Sequence, residues 1–191
     1  MIFRLTLKLS KKVGFTSLPA LPSDKNLNPL MDWNANLFTV QRTQYIILTN
    51  TASLYSMVMH GRGITNDRQL IREVLSFMKE FMTIDGNKAI FEKFIEPEVK
   101  NIFFSKIVDR RVAGSMNDLI FQAKFHLIER HKSPLDVSFL LNESPMSYLS
   151  YSRPKIEFQK LHFEDGVSSG NGQKENNVIH INFVRPPTTK Y

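Results

Sequence analysis

Arg110 and Arg111 stand directly before Val112-Ala113-Gly114-Ser115, and Ser115 with Asp118 matches the S-x-x-D pattern that closes the start of a helix. Such a start carries free N–H groups and the positive end of the helix dipole, so it attracts anions. Arginine adds a planar fork of donors that grips phosphate or carboxylate in a bidentate way. Arg110, Arg111, Gly114 and Ser115 therefore form a candidate anion site. Asp118 competes with that reading by placing a negative charge in the same turn. The plain alternative is a capped core helix whose arginines pair with Asp109 or face water. The segment lacks the G-x-x-x-x-G-K-[ST] spacing of a P-loop.

Further cations lie upstream. Lys8, Lys11 and Lys12 fall at i, i+3 and i+4, which places them on one face of a short helical turn. Arg62 sits between Gly61 and Gly63, where a strand gives way to a helix, although a connecting turn explains so short a motif. Trp33 is the single tryptophan. Its ordinary place is a core or loop anchor; beside a basic patch its ring would stack on a base. The net charge is +7, and up to Asn66 there are seven Lys and Arg against two acids, so the surplus gathers in the first third. A concentrated surplus favours polyanions such as nucleic acid or another phosphate-bearing ligand.

A different chemistry would need Asp32, His60, Arg110, Arg111, Ser115, Asp118 and His126 to converge, as in a metal-independent ribonuclease or toxin-like enzyme. Spacing does not reveal such convergence, and the sequence leaves open whether the chain is an enzyme. There is no cysteine, which excludes disulfides, thiolate metal sites and thiol nucleophiles. His126 and His131 are five apart and share no helical face, so no metal site is expected, and no cofactor either. There is no G-x-S-x-G elbow.

These residues need elements to hold them. Phe3, Leu5, Leu7 and Leu9 alternate with Arg4, Thr6 and Lys8, which predicts a half-buried strand. The alternation also argues against reading the acid-free start as a transit peptide. Leu18 to Pro29 holds three prolines and reads as a loop. Strands are predicted at Ala35–Gln41, Tyr45–Thr49 and Leu54–Met59, joined by short turns as in an antiparallel meander. Leu70, Ile71, Val74, Leu75, Met78, Phe81 and Met82 form a 3.6-period stripe, with Thr65, Asn66 or Asp67 as cap. A short helix before Pro97 and a strand over Asn101–Val108 follow. Ser115 to Arg130 is the last long helix, and Lys155–His162 reads as a short terminal one. The expected fold is α+β: a mainly antiparallel sheet of about five strands against two long helices and some short ones.

Forty-two per cent hydrophobic residues, fifteen of them Phe, suffice for one substantial core at this length. The expected domain is 1–163. Residues 164–191 form an appendage, with a glycine-rich polar linker to Asn177 and a strand-like Val178–Val184 that offers an edge for a partner or a homo-oligomer. No stretch approaches the apolar length of a membrane span, and a cytoplasmic, membrane-free setting is expected.

The N-terminal strand with Lys8–Lys12, the Asp32-Trp33-x-Ala35-Asn36-Leu37 run, Gly114-Ser115-Met116-Asn117-Asp118-Leu119 and Leu141-Asn142-Glu143-Ser144-Pro145-Met146 resemble a family of small uncharacterised bacterial proteins over roughly Met1 to Leu161. The resemblance implies a bacterial, cytosolic, single-domain protein and brings no activity with it. The leading expectation is a nucleic-acid- or phosphate-binding module; a small ribonuclease and a protein-interaction domain are the alternatives.

Overall fold

The computed structural model describes residues 1–22 and 28–164. The expected linker and the Val178–Val184 strand lie outside the described residues. The chain begins with β1 (Ile2–Leu5) and α1 (Leu7–Lys12), then reaches β2 (Asp32–Val40) through a 3-10 turn at Pro29–Met31. The strands β3 (Thr43–Asn50) and β4 (Ser56–His60) complete a meander. α2 (Asp67–Ile84) and α3 (Lys88–Ile90) follow, the latter running on through a π turn and a 3-10 turn to Lys100. β5 (Phe103–Lys106), α4 (Arg110–Ile128), α5 (Pro134–Glu143) and α6 (Pro154–Glu164) finish the fold.

The α+β architecture stands as expected, with five strands in the order β4-β3-β2-β1-β5. The sheet is mixed rather than mainly antiparallel: β2, β3 and β4 are antiparallel, whereas β1 runs parallel to both β2 and β5. Alternation along β1 identified a strand but could not name its neighbours. The long connection from β1 to β2 is what permits the parallel pairing, since a tight hairpin cannot make one.

Helices cover both faces. On one face Phe3, Leu5, Trp33, Ala35, Leu37, Ile46, Leu48, Met57 and Met59 pack with α2 through Leu70, Val74, Met78, Phe81 and Met82. Asn66 caps α2 by accepting from the Gln69 N–H, so one of the three expected capping residues takes the role. On the other face Phe38, Val40, Ile47 and Val58 meet Val112, Met116, Leu119 and Ala123 of α4, and Val137 and Leu141 of α5. Each fully buried aliphatic side chain contributes about 1.5–3 kcal/mol relative to an exposed one.

Two buried polar arrangements fix this sandwich. Arg4 on β1 donates from Nε and Nη2 to Asp32 on β2, at 2.7 and 2.9 Å, and from Nη1 to the Leu21 carbonyl at 2.6 Å. Thr51 in the β3–β4 turn donates to the same carboxylate at 2.9 Å and accepts from Asn34 at 2.8 Å. Both ions are buried, Arg4 at 1% and Asp32 at 6% exposure, so each is tolerable only while the other is present. At the far edge, α5 supplies side chains where a further strand would lie. Asn142 accepts from the Ser56 N–H and donates to its carbonyl, at 2.7 and 2.8 Å, and Ser138 accepts from the Val58 N–H at 2.8 Å. Those contacts close the β4 edge to strand addition over 56–58.

The buried pair generates an asymmetric expectation. In urea unfolding, Arg4→Met or Asp32→Leu alone should cost about 3–5 kcal/mol, because each strands a charge in the core. The double variant should recover most of that loss and regain a cooperative transition. Single variants within about 1 kcal/mol of wild type would show that the pair is solvated and unimportant.

Candidate functional site

The β2–β3 hairpin turns on two residues, Gln41 and Arg42, with Val40 opposite Thr43. Both have positive φ, 45° and 68°, so the turn has the handedness of a type I′ turn, which normally favours Asn and Gly. Neither residue has the backbone freedom of glycine, and the left-handed conformation costs energy at each. The turn therefore projects an arginine side chain from a backbone position that sequence economy would fill with glycine.

The neighbouring strand brings further cations to the same end. Gly61 continues the β3–β4 ladder by donating to the Gln44 carbonyl at 2.8 Å. A Cβ at Gly61 would come within 3.2 Å of Ile46 and 3.3 Å of Leu37, so a larger residue would push the chain off the hairpin. Gly63 then turns with φ of 83°, a conformation suited to glycine. Between the two glycines Arg62 is exposed. Arg42, Thr43, Gln44, His60 and Arg62 line a cleft of about 520 Å³. No acid is among those lining residues. Lys12, at the end of α1, donates to Gln44 Oε1 at 2.6 Å and so brings a further positive charge to the rim. Lys8 and Lys11 are exposed on the same helix.

His60 ends a row of rings. The register places Phe38 beside Tyr45 and Tyr45 beside His60. Their ring centroids are 5.6 and 5.1 Å apart. Phe38 is buried, Tyr45 half-buried and His60 exposed.

The other expected site residues are elsewhere. α4 begins at Arg110, five residues before the predicted start at Ser115. Asp109 is its cap and accepts from the Arg111 N–H at 2.8 Å. Ser115 is buried inside the helix rather than capping it, and Gly114 is a helical residue whose absent Cβ would meet nothing within 4 Å. Val112, Met116, Leu119, Ile120 and Ala123 form the buried stripe, so the correct start was visible in Val112. Burial works to raise the Asp109 carboxyl, yet hydrogen bonds from the Arg111 and Val112 backbone, with the Arg111 side chain, hold it below the usual carboxylate range. The helix terminus thus already holds an anion of its own, and Arg111 lies over the Tyr148 ring at 5.8 Å.

Trp33 is wholly buried, donates to the Leu30 carbonyl at 2.8 Å and meets Phe158 edge-on, so it cannot stack on a base in this fold. The residues of the ribonuclease alternative are not brought together either. Asp32 is engaged by Arg4, Ser115 is inside α4, and of that group only His60 lines the cleft. Among the described residues no group of three or more His, Cys, Asp or Glu could hold a metal ion, and no helix is long and apolar enough to cross a membrane.

A second polar cluster ties α6 to the core. Tyr55 donates to Asp85 at 2.6 Å, Asn87 donates to the same carboxylate at 2.9 Å, and Lys155 reaches its other oxygen at 2.7 Å. Burial, together with the Asp85 charge, pushes the Tyr55 hydroxyl up, so it remains a donor. Phe158 stacks on Tyr55 at 4.2 Å. This arrangement is saturated by its own members and serves packing.

A family model for a domain of unknown function, DUF6933, matches residues 2–157. The chain belongs to the DUF6933 family. The resemblance to an uncharacterised family is thereby borne out, and the matched span contains every residue of the cleft. No curated protein matches the chain.

Arg42 and Gln44 were absent from the residues expected to bind, although Arg42 counted toward the N-terminal surplus, and His60 was named only with the ribonuclease alternative. The signal that assembles them is the hairpin register: a two-residue turn after Val40 sets Tyr45 opposite Phe38, and the next turn sets His60 opposite Tyr45. Replacing Gln41 with Asn and Arg42 with Gly together should raise the unfolding free energy by about 1 kcal/mol and Tm by about 2–4 °C, because the turn would lose its backbone strain. A thermal unfolding scan showing a lower Tm would mean that Arg42 stabilises the fold through contacts of its own.

Proposed function

We propose that this DUF6933 protein is a binding module for phosphate-bearing polyanions, nucleic acid foremost, and that the cleft at the hairpin end is its contact surface. The observation that carries the reading is the lining itself: Arg42, His60 and Arg62 face one cleft with no acid among them. Lys12 at the rim adds to the same field. Arginine forks suit phosphate oxygens, and a cleft of one sign focuses the field on an approaching anion. Of the residues expected from the sequence, Lys12 and Arg62 belong to this surface. Arg110 and Arg111 stand apart at a terminus that Asp109 already occupies. The cytoplasmic, bacterial setting expected from the sequence is part of the same proposal.

Fluorescence anisotropy of a labelled oligonucleotide against salt tests it. Log affinity should fall by about 0.7–0.9 per phosphate contact for each log unit of salt. Arg42→Gln and Arg62→Gln should each weaken binding and flatten that slope by about one contact. Both side chains are exposed, so Tm should barely move. Absence of binding at low salt, or an unchanged slope in both variants, would contradict the reading.

A further inference from the structure

The cleft combines two features that a site for bare phosphate does not need together. One is the set of cations. The other is the row Phe38–Tyr45–His60, which runs from the buried face of the sheet to solvent and ends inside the lining. From these we propose that the cleft takes single-stranded nucleic acid, with one unpaired base laid on the His60 ring and the neighbouring phosphates on Arg42 and Arg62. The inference rests on the phosphate-binding reading and adds the class of ligand to it.

Three physical points support it. First, stacking on a ring is effective when that ring is already held in place, because little side-chain freedom is then lost on binding. Tyr45 lies 5.1 Å from His60 with 32° between the ring planes, and Phe38 backs Tyr45 in turn. His60 therefore offers a supported yet exposed surface. Second, any base has a π face, so such a platform binds single strands with little regard to sequence. A duplex hides those faces within its own stack, and an inorganic polyanion has none. Third, the cations flank the ring along the chain. Arg42 sits on the turn before Tyr45 with a left-handed backbone, and Arg62 sits two residues after His60, next to Gly63 with its φ of 83°. A strand whose base meets His60 carries its own phosphates on either side of that base, where a fork of donors can take them.

The obvious alternative is that His60 only adds polarity or charge to a phosphate site. Stacking and charge respond differently to substitution. His60→Phe keeps a flat ring and removes the ring nitrogens; His60→Ala removes both.

The test uses the full chain at one fixed, low salt concentration, with three probes. These are a labelled single strand of about ten nucleotides, the same sequence as a duplex, and inorganic polyphosphate as competitor. The single strand should bind more tightly than the duplex and outcompete polyphosphate at equal phosphate concentration. His60→Ala should weaken single-strand binding by about 5- to 150-fold, the equivalent of about 1–3 kcal/mol for one stacked base, and leave the affinity for polyphosphate, corrected for the weaker probe, unchanged. His60→Phe should retain single-strand affinity within a few-fold. Circular dichroism and Tm matching wild type would assign the loss to the surface, as befits an exposed residue. Equal binding of single strand and polyphosphate, with His60→Ala silent, would overturn the stacking inference and leave the phosphate reading standing. Equal weakening of both probes by His60→Ala, or failure of His60→Phe to retain affinity, would overturn it in favour of a polar role. Preference for the duplex would overturn it as well. If none of the three probes binds, both readings fall together.

Discussion

The ion pair between Arg4 and Asp32 is the interaction on which the rest of the structure depends. It joins the first strand to the second across a parallel pairing, and its remaining hydrogen-bonding capacity reaches two loops. Arg4 also donates to the carbonyls of Leu21 and Pro22, which ties that part of the connection between β1 and β2 to the first strand. Asp32 also accepts from Thr51, which secures the turn between β3 and β4. Removing two charges from water costs several kcal/mol per ion, and only a complete set of partners makes that tolerable. The pair therefore selects one arrangement: β1 beside β2, in register at Ile2 and Asp32, with Leu21 and Pro22 of the crossover held against Arg4.

That arrangement decides which parts of the sheet are free to bind anything. Helices cover both faces, and α5 covers the β4 edge with the side chains of Asn142 and Ser138 in place of a strand. The end of the sheet that carries the Gln41–Arg42 turn and the Gly61–Gly63 connection is left to polar residues. The two short connections meet there because β2, β3 and β4 are antiparallel neighbours. α1 follows β1 directly and brings Lys12 to Gln44 at the same place. The clustering of positive charge at one end is thus a consequence of topology acting on cations that are scattered in the sequence.

Much of the fold was legible because it rests on local rules. The stripe from Leu70 to Met82 gave α2, and Asn66 was among its possible caps. Alternation gave the meander. The partners of β1 were not legible, since period-2 alternation says that a residue faces a core without saying which strand lies alongside. The start of α4 was misplaced because the sequence offers two capping signals in close succession, Asp109 and the Ser115–Asp118 pair. A capping box is a local pattern, and the fold chose Asp109, which lets Val112 join the buried stripe. Trp33 followed the ordinary rule for a large aromatic at a strand start and went into the core. The cleft depends on pairing across two turns, so its members became visible only when Phe38, Tyr45 and His60 were aligned.

In the proposed function the polyanion meets the hairpin end of the sheet and not the start of α4. Amide chemical-shift mapping of the isotope-labelled full chain, titrated with a short single-stranded oligonucleotide, addresses it most directly. The account predicts shifts at Lys12, at Gln41 to Tyr45 and at His60 to Gly63, with Arg110 to Ser115 and the Trp33 indole unmoved. Shifts centred on Arg110 to Ser115, with the hairpin end silent, would contradict it.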